Sequence, residues 1–135
     1  MYVFIPKNID LESIEKQNPP SFNAYKKDKL AIVISHIVEK TNKMKDNPNF
    51  DGYGNISSKY LESLIDNYKQ HIDYCIERGI VEKNPNRNFS QNFYCKSYKV
   101  ITENIDDLQA YQINDYVLRK KLIKVERIKK RSKKD

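Results

Sequence analysis

The chain has 135 residues, with 25 Lys or Arg against 18 Asp or Glu, a net charge of +7, 39% hydrophobic and 32% charged residues. That length fits one domain with short extensions and a modest core. No stretch approaches the ~18 consecutive apolar residues of a membrane-crossing helix. The opening MYVFIPKNIDLESIEK has no basic segment followed by a long apolar one, so no membrane partner and no secretory signal are expected.

The chemistry of the side chains argues against catalysis. Gly52, Gly54 and Gly79 are the only glycines, too few and too scattered for a phosphate-cradling loop. Cys75 and Cys95, even with His36 and His71, lack the paired spacing of a zinc site. No metal or cofactor is expected, and the thiols are read as free in a reducing cytoplasm. Asp106 and Asp107 are adjacent and point apart. Ser57-Ser58 has no evident base and orienter. No catalytic residue is assigned.

The charge is unevenly placed. Residues 116–135 hold ten Lys or Arg and two acids, whereas residues 1–115 hold fifteen and sixteen. A like-charged block stays solvated or meets a polyanion, where each phosphate contact releases a counterion. Lys, Asn, Ile and Tyr supply 60 of the 135 residues, a bias that accompanies AT-rich coding.

Residues 1–25 read as an arm and linker: an apolar start at Tyr2-Val3-Phe4-Ile5, a short helix over Asp10–Gln17, and a break at Asn18-Pro19-Pro20-Ser21. Over 26–45, Leu30, Ile34, Ile37 and Val38 recur at helical spacing, and Asp28 can cap the first turn. His36 sits among apolar neighbours and reads as a structural histidine. Residues 46–56 are loop chemistry entering a brief strand. Ser57 or Ser58 can cap a helix with Leu61, Leu64 and Ile65 inward, interrupted at Asp66-Asn67. The next helix turns Tyr68, Ile72, Cys75 and Ile76 inward and closes at Gly79. A strand at Ile80–Lys83, a turn at Asn84–Asn88 and a strand at Lys96–Ile101 follow. Leu108–Ile113 alternates like another strand within a connector, 102–115. Asn114-Asp115 then caps a basic helix from Tyr116 to about Lys133, with apolar positions Val117, Leu118, Ile123, Val125 and Ile128.

The order helix, short strand, helix, turn, helix, strand, loop, strand over 26–101 resembles the winged helix-turn-helix family. Leu61, Leu64 and Ile65, then Ile72, Cys75, Ile76, Gly79, Ile80 and Val81, carry the resemblance. The short SKYL helix and the KSYK strand are also similar to small domains of phage and mobile-element replication proteins from AT-rich bacteria. The resemblance implies an α+β fold, a winged helix with a basic C-terminal helix, and non-catalytic DNA binding in replication or transcription regulation. The second motif helix would enter the major groove and the wing would touch the backbone. By position, the DNA-binding residues would be Asn67, Tyr68, Lys69 and Gln70 on that helix and Lys59 on the one before it. Arg87, Lys96 and Lys99 would act on the wing, with Arg119, Lys120, Lys121, Lys124, Arg127 and Lys130 on the basic helix.

One feature departs from that family. Residues 57–83 hold four bases against five acids, with Asp73 and Glu77 facing outward, where a duplex reader usually shows a basic footprint. A protein-docking role, in a virion or an accessory subunit, or as a homodimer, therefore stands beside duplex DNA as the partner. Aromatics near the wing (Phe89, Phe93, Tyr94, Tyr98) leave single-stranded nucleic acid as a further alternative.

Overall fold

The computed structural model describes residues 1–17, 26–85 and 96–133, with side chains for 1–14, 26–85 and 96–128. In chain order the elements are β1 (Tyr2–Pro6), α1 (Leu11–Gln17), α2 (Lys27–Met44), β2 (Gly54–Asn55), α3 (Ser58–Leu64), α4 (Tyr68–Glu77), β3 (Val81–Lys83), β4 (Ser97–Val100), β5 (Leu108–Gln112) and α5 (Tyr116–Lys133). The class is α+β. Arg87, the wing aromatics Phe89, Phe93 and Tyr94, and Cys95 lie outside the described residues.

Helix α2 is the centre. Leu30, Ile34, Ile37 and Val38 are buried, as are Ala31 and Val33, which the sequence adds to the same side, and Ile32 is buried with them. A helix apolar all round is one enclosed on every side; here β1, β2, β4, α1 and α4 all pack against it. Its first turn is not closed by its own side chains: the N-cap is Lys26, without a capping hydrogen bond. Asp28, expected to cap locally, is turned toward residues 111–115 instead.

Local chemistry sets the α3–α4 pair. The Ser57 hydroxyl accepts the Tyr60 N–H at 3.2 Å, capping α3. Ile65 leaves the helix in extended conformation. Helix α4 ends on Gly79 at φ +73°. There Ile80 N–H donates to Cys75 O at 2.9 Å and Gly79 N–H to Ile76 O at 3.1 Å, the paired bonds of a Schellman ending. The chain then enters β3. The three-stranded sheet runs β2-β4-β3, antiparallel throughout, with Val81 opposite Val100 and Gly54 opposite Tyr98.

A second, two-stranded ribbon pairs β1 with β5 in the register Tyr2↔Gln112, Phe4↔Ala110, Pro6↔Leu108. The N-terminal arm supplies Ile5, Ile9 and Leu11 to the same core as α2, and the 102–115 connector supplies its partner strand and the buried Ile113. The pairing strand lies about a hundred residues away, beyond the reach of local periodicity.

Helix α5 also differs from its expected packing. Leu118 and Leu122 are buried and Val125 partly so, whereas Val117, Ile123 and Ile128 are exposed. Spacing of four and then three residues places Leu118, Leu122 and Val125 on one face, and α5 packs against α3.

Candidate nucleic-acid interface

The position of α5 is fixed at its start. Asp115 Oδ1 accepts the Leu118 N–H at 3.0 Å, an N-cap. The buried Asp28 carboxylate accepts the backbone N–H groups of Asn114 at 2.8 Å and Asp115 at 2.7 Å, and the Tyr111 hydroxyl at 2.7 Å. A residue of α2 thus holds the turn from β5 into α5. With Leu118 and Leu122 committed inward, Arg119, Lys120, Lys124 and Arg127 stand in solvent, and Lys121 is half-buried. Lys120, Lys124 and Arg127 follow helical spacing and form one stripe. Lys120 Nζ lies 4.5 Å from the Tyr116 ring centroid, a contact that leaves an ammonium able to meet a phosphate. Lys130 lies in α5, and its side chain is outside the described residues.

On and beside α3 and α4, Lys59, Asn67, Lys69 and Gln70 are exposed, and so are the acids Asp73 and Glu77. Tyr68 is not available: it is 4% exposed and part of the core. Its assignment as a contact residue is corrected for a simple reason. Tyr68, Ile72 and Cys75 are spaced by four and three, so the ring shares the inward face of α4.

Strand β4 gives a mixed result. Lys99 Nζ lies 3.3 Å from Glu82 Oε2 and 5.0 Å from the Tyr53 ring centroid. The hydrogen bond to Glu82 is the main cause that raises the Lys99 pKa above its ordinary value. Its charge is shared with a neighbour rather than offered whole. Lys96 precedes β4 and is half-buried. Arg78, not singled out from the sequence, is exposed at the end of α4 with its guanidinium 5.3 Å from the Tyr74 ring centroid. Its signal was the place directly before the helix-ending Gly79.

His36 is 4% exposed, and its Nε2 accepts the Ser57 N–H at 3.0 Å while its ring stacks on Tyr60 at 4.8 Å. The acceptor role requires the proton on Nδ1. Burial, then the nearby Glu126 and Glu39 carboxylates, push the Tyr60 hydroxyl up to about 12. Burial alone pushes the Cys75 thiol up to about 12, which suits a packed thiol and not a nucleophile. Among the described residues no three His, Cys, Asp or Glu side chains converge as a metal site, and no helix is long and apolar enough to cross a membrane.

The arrangement offers point charges and polar tips on the outside of three helices, α3, α4 and α5, borne on one packed core. Comparisons with protein-family models, with curated proteins and with solved structures found no match.

Proposed function

We propose that this chain is a non-catalytic DNA-binding protein, a winged helix whose basic C-terminal helix supplies much of the affinity. The observation that carries the reading is topological. The chain runs α2, β2, α3, α4, β3, β4, with the three strands in one antiparallel sheet of order β2-β4-β3, an order that suits a winged helix with α4 as its second motif helix and β3–β4 as its hairpin. In this reading Asn67, Lys69 and Gln70 approach base edges, Lys59 and Lys96 position the duplex, and the Lys120–Lys124–Arg127 stripe follows phosphates.

Fluorescence anisotropy with a 20-base-pair duplex at several salt concentrations tests this. Binding is expected to weaken on a linear log–log plot by about 0.9 per phosphate contact. Replacing Lys120, Lys124 and Arg127 together by Gln should flatten that slope by about 2 to 3. Substitution is a better test than removing residues 116–135, because removal also deletes the buried Leu118 and Leu122. Duplex binding absent at low salt sinks the proposal.

A second reading, a protein-docking winged helix, draws on one observation: Asp73 and Glu77 stand beside Lys69 and Gln70 on the exposed face of α4. Replacing both acids by Asn separates the two. A DNA reader gains affinity for duplex, while a docking face gains none.

A further inference from the structure

The β1–β5 ribbon leaves one backbone edge open beside a groove. Ile113 N–H donates to Met1 O at 3.0 Å and Lys7 N–H to Asp107 O at 3.1 Å. In the antiparallel register, residues one, three, five and seven therefore turn their amides toward β5, and Tyr2 and Phe4 turn theirs the opposite way. Among the described residues no hydrogen bond reaches the Tyr2 or Phe4 backbone. Two N–H and two C=O groups line up along the outer edge, a template for strand addition. The strand YVFIP carries no charge, and no bulge or proline interrupts the edge before Pro6.

That edge borders a groove of about 390 Å³, floored by α2 and walled on the far side by Leu122 and Glu126 of α5 and Tyr60 of α3. Its polar character is one-sided. No Lys or Arg lines it, whereas Glu39 and Glu126 do. Glu39 also meets Lys43 at 3.2 Å, but the exposed Glu126 has no cation within ion-pair distance among the described residues. Asn42 Oδ1, in the same lining, is buried with no hydrogen-bond partner. The groove thus presents acceptors in want of donors, beside apolar Val38 and Leu122. The raised pKa of Tyr60, to which both carboxylates contribute, is consistent with that negative setting.

We propose that this groove binds an extended basic segment of a partner protein, added to β1 as a third strand with alternating apolar and Lys or Arg side chains. Apolar residues on one face of the added strand meet Val38 and Leu122, and cationic ones reach Glu126. A second copy of the chain fits less well. Its β1 would bring its own β5 on the far edge, toward the wall that Leu122 and Glu126 of α5 form. Nucleic acid is disfavoured by the two carboxylates. The proposal is independent of the DNA reading, since no residue assigned to DNA lines this groove.

The test is amide-resolved NMR of the full chain titrated with an eight-residue peptide of alternating valine and lysine. Controls are the valine–glutamate peptide and a backbone N-methylated valine–lysine peptide. The Tyr2 and Phe4 amides are expected to shift and become protected from exchange with the lysine peptide. Both controls should bind at least tenfold more weakly. Glu126→Lys, at an exposed position, should weaken the lysine peptide at least fivefold while the fold is retained. Phe4→Pro, which removes an outward donor and no ladder bond, should do the same if circular dichroism shows it folded. Equal binding of all three peptides, or shifts confined to α5, overturns the proposal. So does protection of Tyr2 and Phe4 that rises with protein concentration alone, which would make a second copy the occupant, or their displacement by duplex DNA.

Discussion

Asp28 Oδ2 accepts the backbone N–H of Asp115 at 2.7 Å, across a sequence separation of 87 residues. The same oxygen takes the Asn114 N–H and its partner oxygen takes the Tyr111 hydroxyl. Asp115 then caps α5 with its own side chain. The direction in which the basic helix leaves the core is thereby set by one carboxylate on α2. Hydrogen bonds to an ionised acceptor are worth more than neutral ones, about 1.5–3 kcal/mol each by deletion.

Asp28→Ala is expected to destabilise the fold by about 3 kcal/mol, because it leaves three donors without their acceptor. At this chain length that lowers the thermal midpoint by about 10 °C. Tyr111→Phe removes one donor and keeps the two backbone bonds, so about 1 kcal/mol is expected. Thermal and urea unfolding check both. An Asp28→Ala protein within about 1 kcal/mol of the parent means the turn is held by something else.

The start of α3 rests on two acceptors, Ser57 Oγ for the Tyr60 N–H and His36 Nε2 for the Ser57 N–H. Ser57→Ala should cost about 1 kcal/mol, the ordinary value of a lost cap. His36→Ala should cost more, about 2 kcal/mol, since it also removes a ring stacked on Tyr60. Because Ser57 takes part in both bonds at one helix start, the double variant is expected to depart from the sum by about 0.5 kcal/mol or more. A strictly additive urea-unfolding cycle argues against a shared cap.

What the sequence disclosed and what it hid follow from the range of the forces involved. The helix endings were legible because they are local: Ser57 caps, and Gly79 takes the left-handed conformation with its Schellman bonds. Tyr98 and Val100 alternate with Ser97 and Lys99, and the alternation matches their burial. Pairing between distant segments was hidden. Nothing near Tyr2 names Gln112 as its partner, and nothing near Asp28 distinguishes a local cap from a clamp on residues 111–115. In α5 the sequence offers two neighbours of equal apolarity, Leu122 and Ile123, and the phase that buries the leucine is set by α3. The candidate interface divides in the same way. Exposed bases on α5 follow from composition, whereas the Lys99–Glu82 pair and the open β1 edge depend on how strands meet.

That pair yields its own expectation about β3 and β4. Lys99 shares its charge with Glu82 and sits over Tyr53. Lys99→Gln should therefore change duplex affinity less than twofold at moderate salt, while Lys124→Gln changes it severalfold. Glu82→Gln, which releases the ammonium, should tighten duplex binding. If Lys99→Gln is the more damaging of the two lysine changes, β4 and not α5 dominates the phosphate contacts.

Alkaline stability follows from two groups whose neutral forms the fold prefers. Tyr60 is raised from 10.0 to about 12 and Cys75 from 9.0 to about 12. A pKa higher in the folded state means the stabilisation is complete below the unfolded value and is lost as pH rises through the folded one. The loss should begin near pH 9 for Cys75 and near pH 10 for Tyr60, and continue to about pH 12. At about 1.4 kcal/mol per unit, the two together amount to about 7 kcal/mol at most, and solvent screening of the partly exposed Tyr60 reduces its share. Urea unfolding at pH 8, 10 and 11 checks this. Tyr60→Phe should lose less stability between pH 10 and 11 than the parent, and an unchanged slope counts against the assignment. In a Cys95→Ser background, Cys75 should be inert to a maleimide at pH 8 until denaturant is added.

Gly54 offers the sharpest separation between local propensity and packing. It has no left-handed φ, so propensity alone says that Ala would stabilise it by about 0.4–1 kcal/mol through the unfolded chain. A Cβ there would lie 2.7 Å from the backbone nitrogen of Thr41, 2.7 Å from its Oγ1 and 3.1 Å from the Lys40 carbonyl carbon. Thr41 cannot yield easily, because it is buried and its hydroxyl donates to Ile37 O at 2.8 Å inside α2. Relief requires β2 to lift from α2, which would strain the pairing of Gly54 with Tyr98 and of Asn55 with Ser97. Gly54→Ala is therefore expected to destabilise by about 2–3 kcal/mol. Gly52→Ala, at φ +94° with open space around it, should cost only about 1 kcal/mol of backbone strain. Urea unfolding of the two variants gives the order directly. Gly54→Ala as stable as the parent would show that β2 does not press on α2.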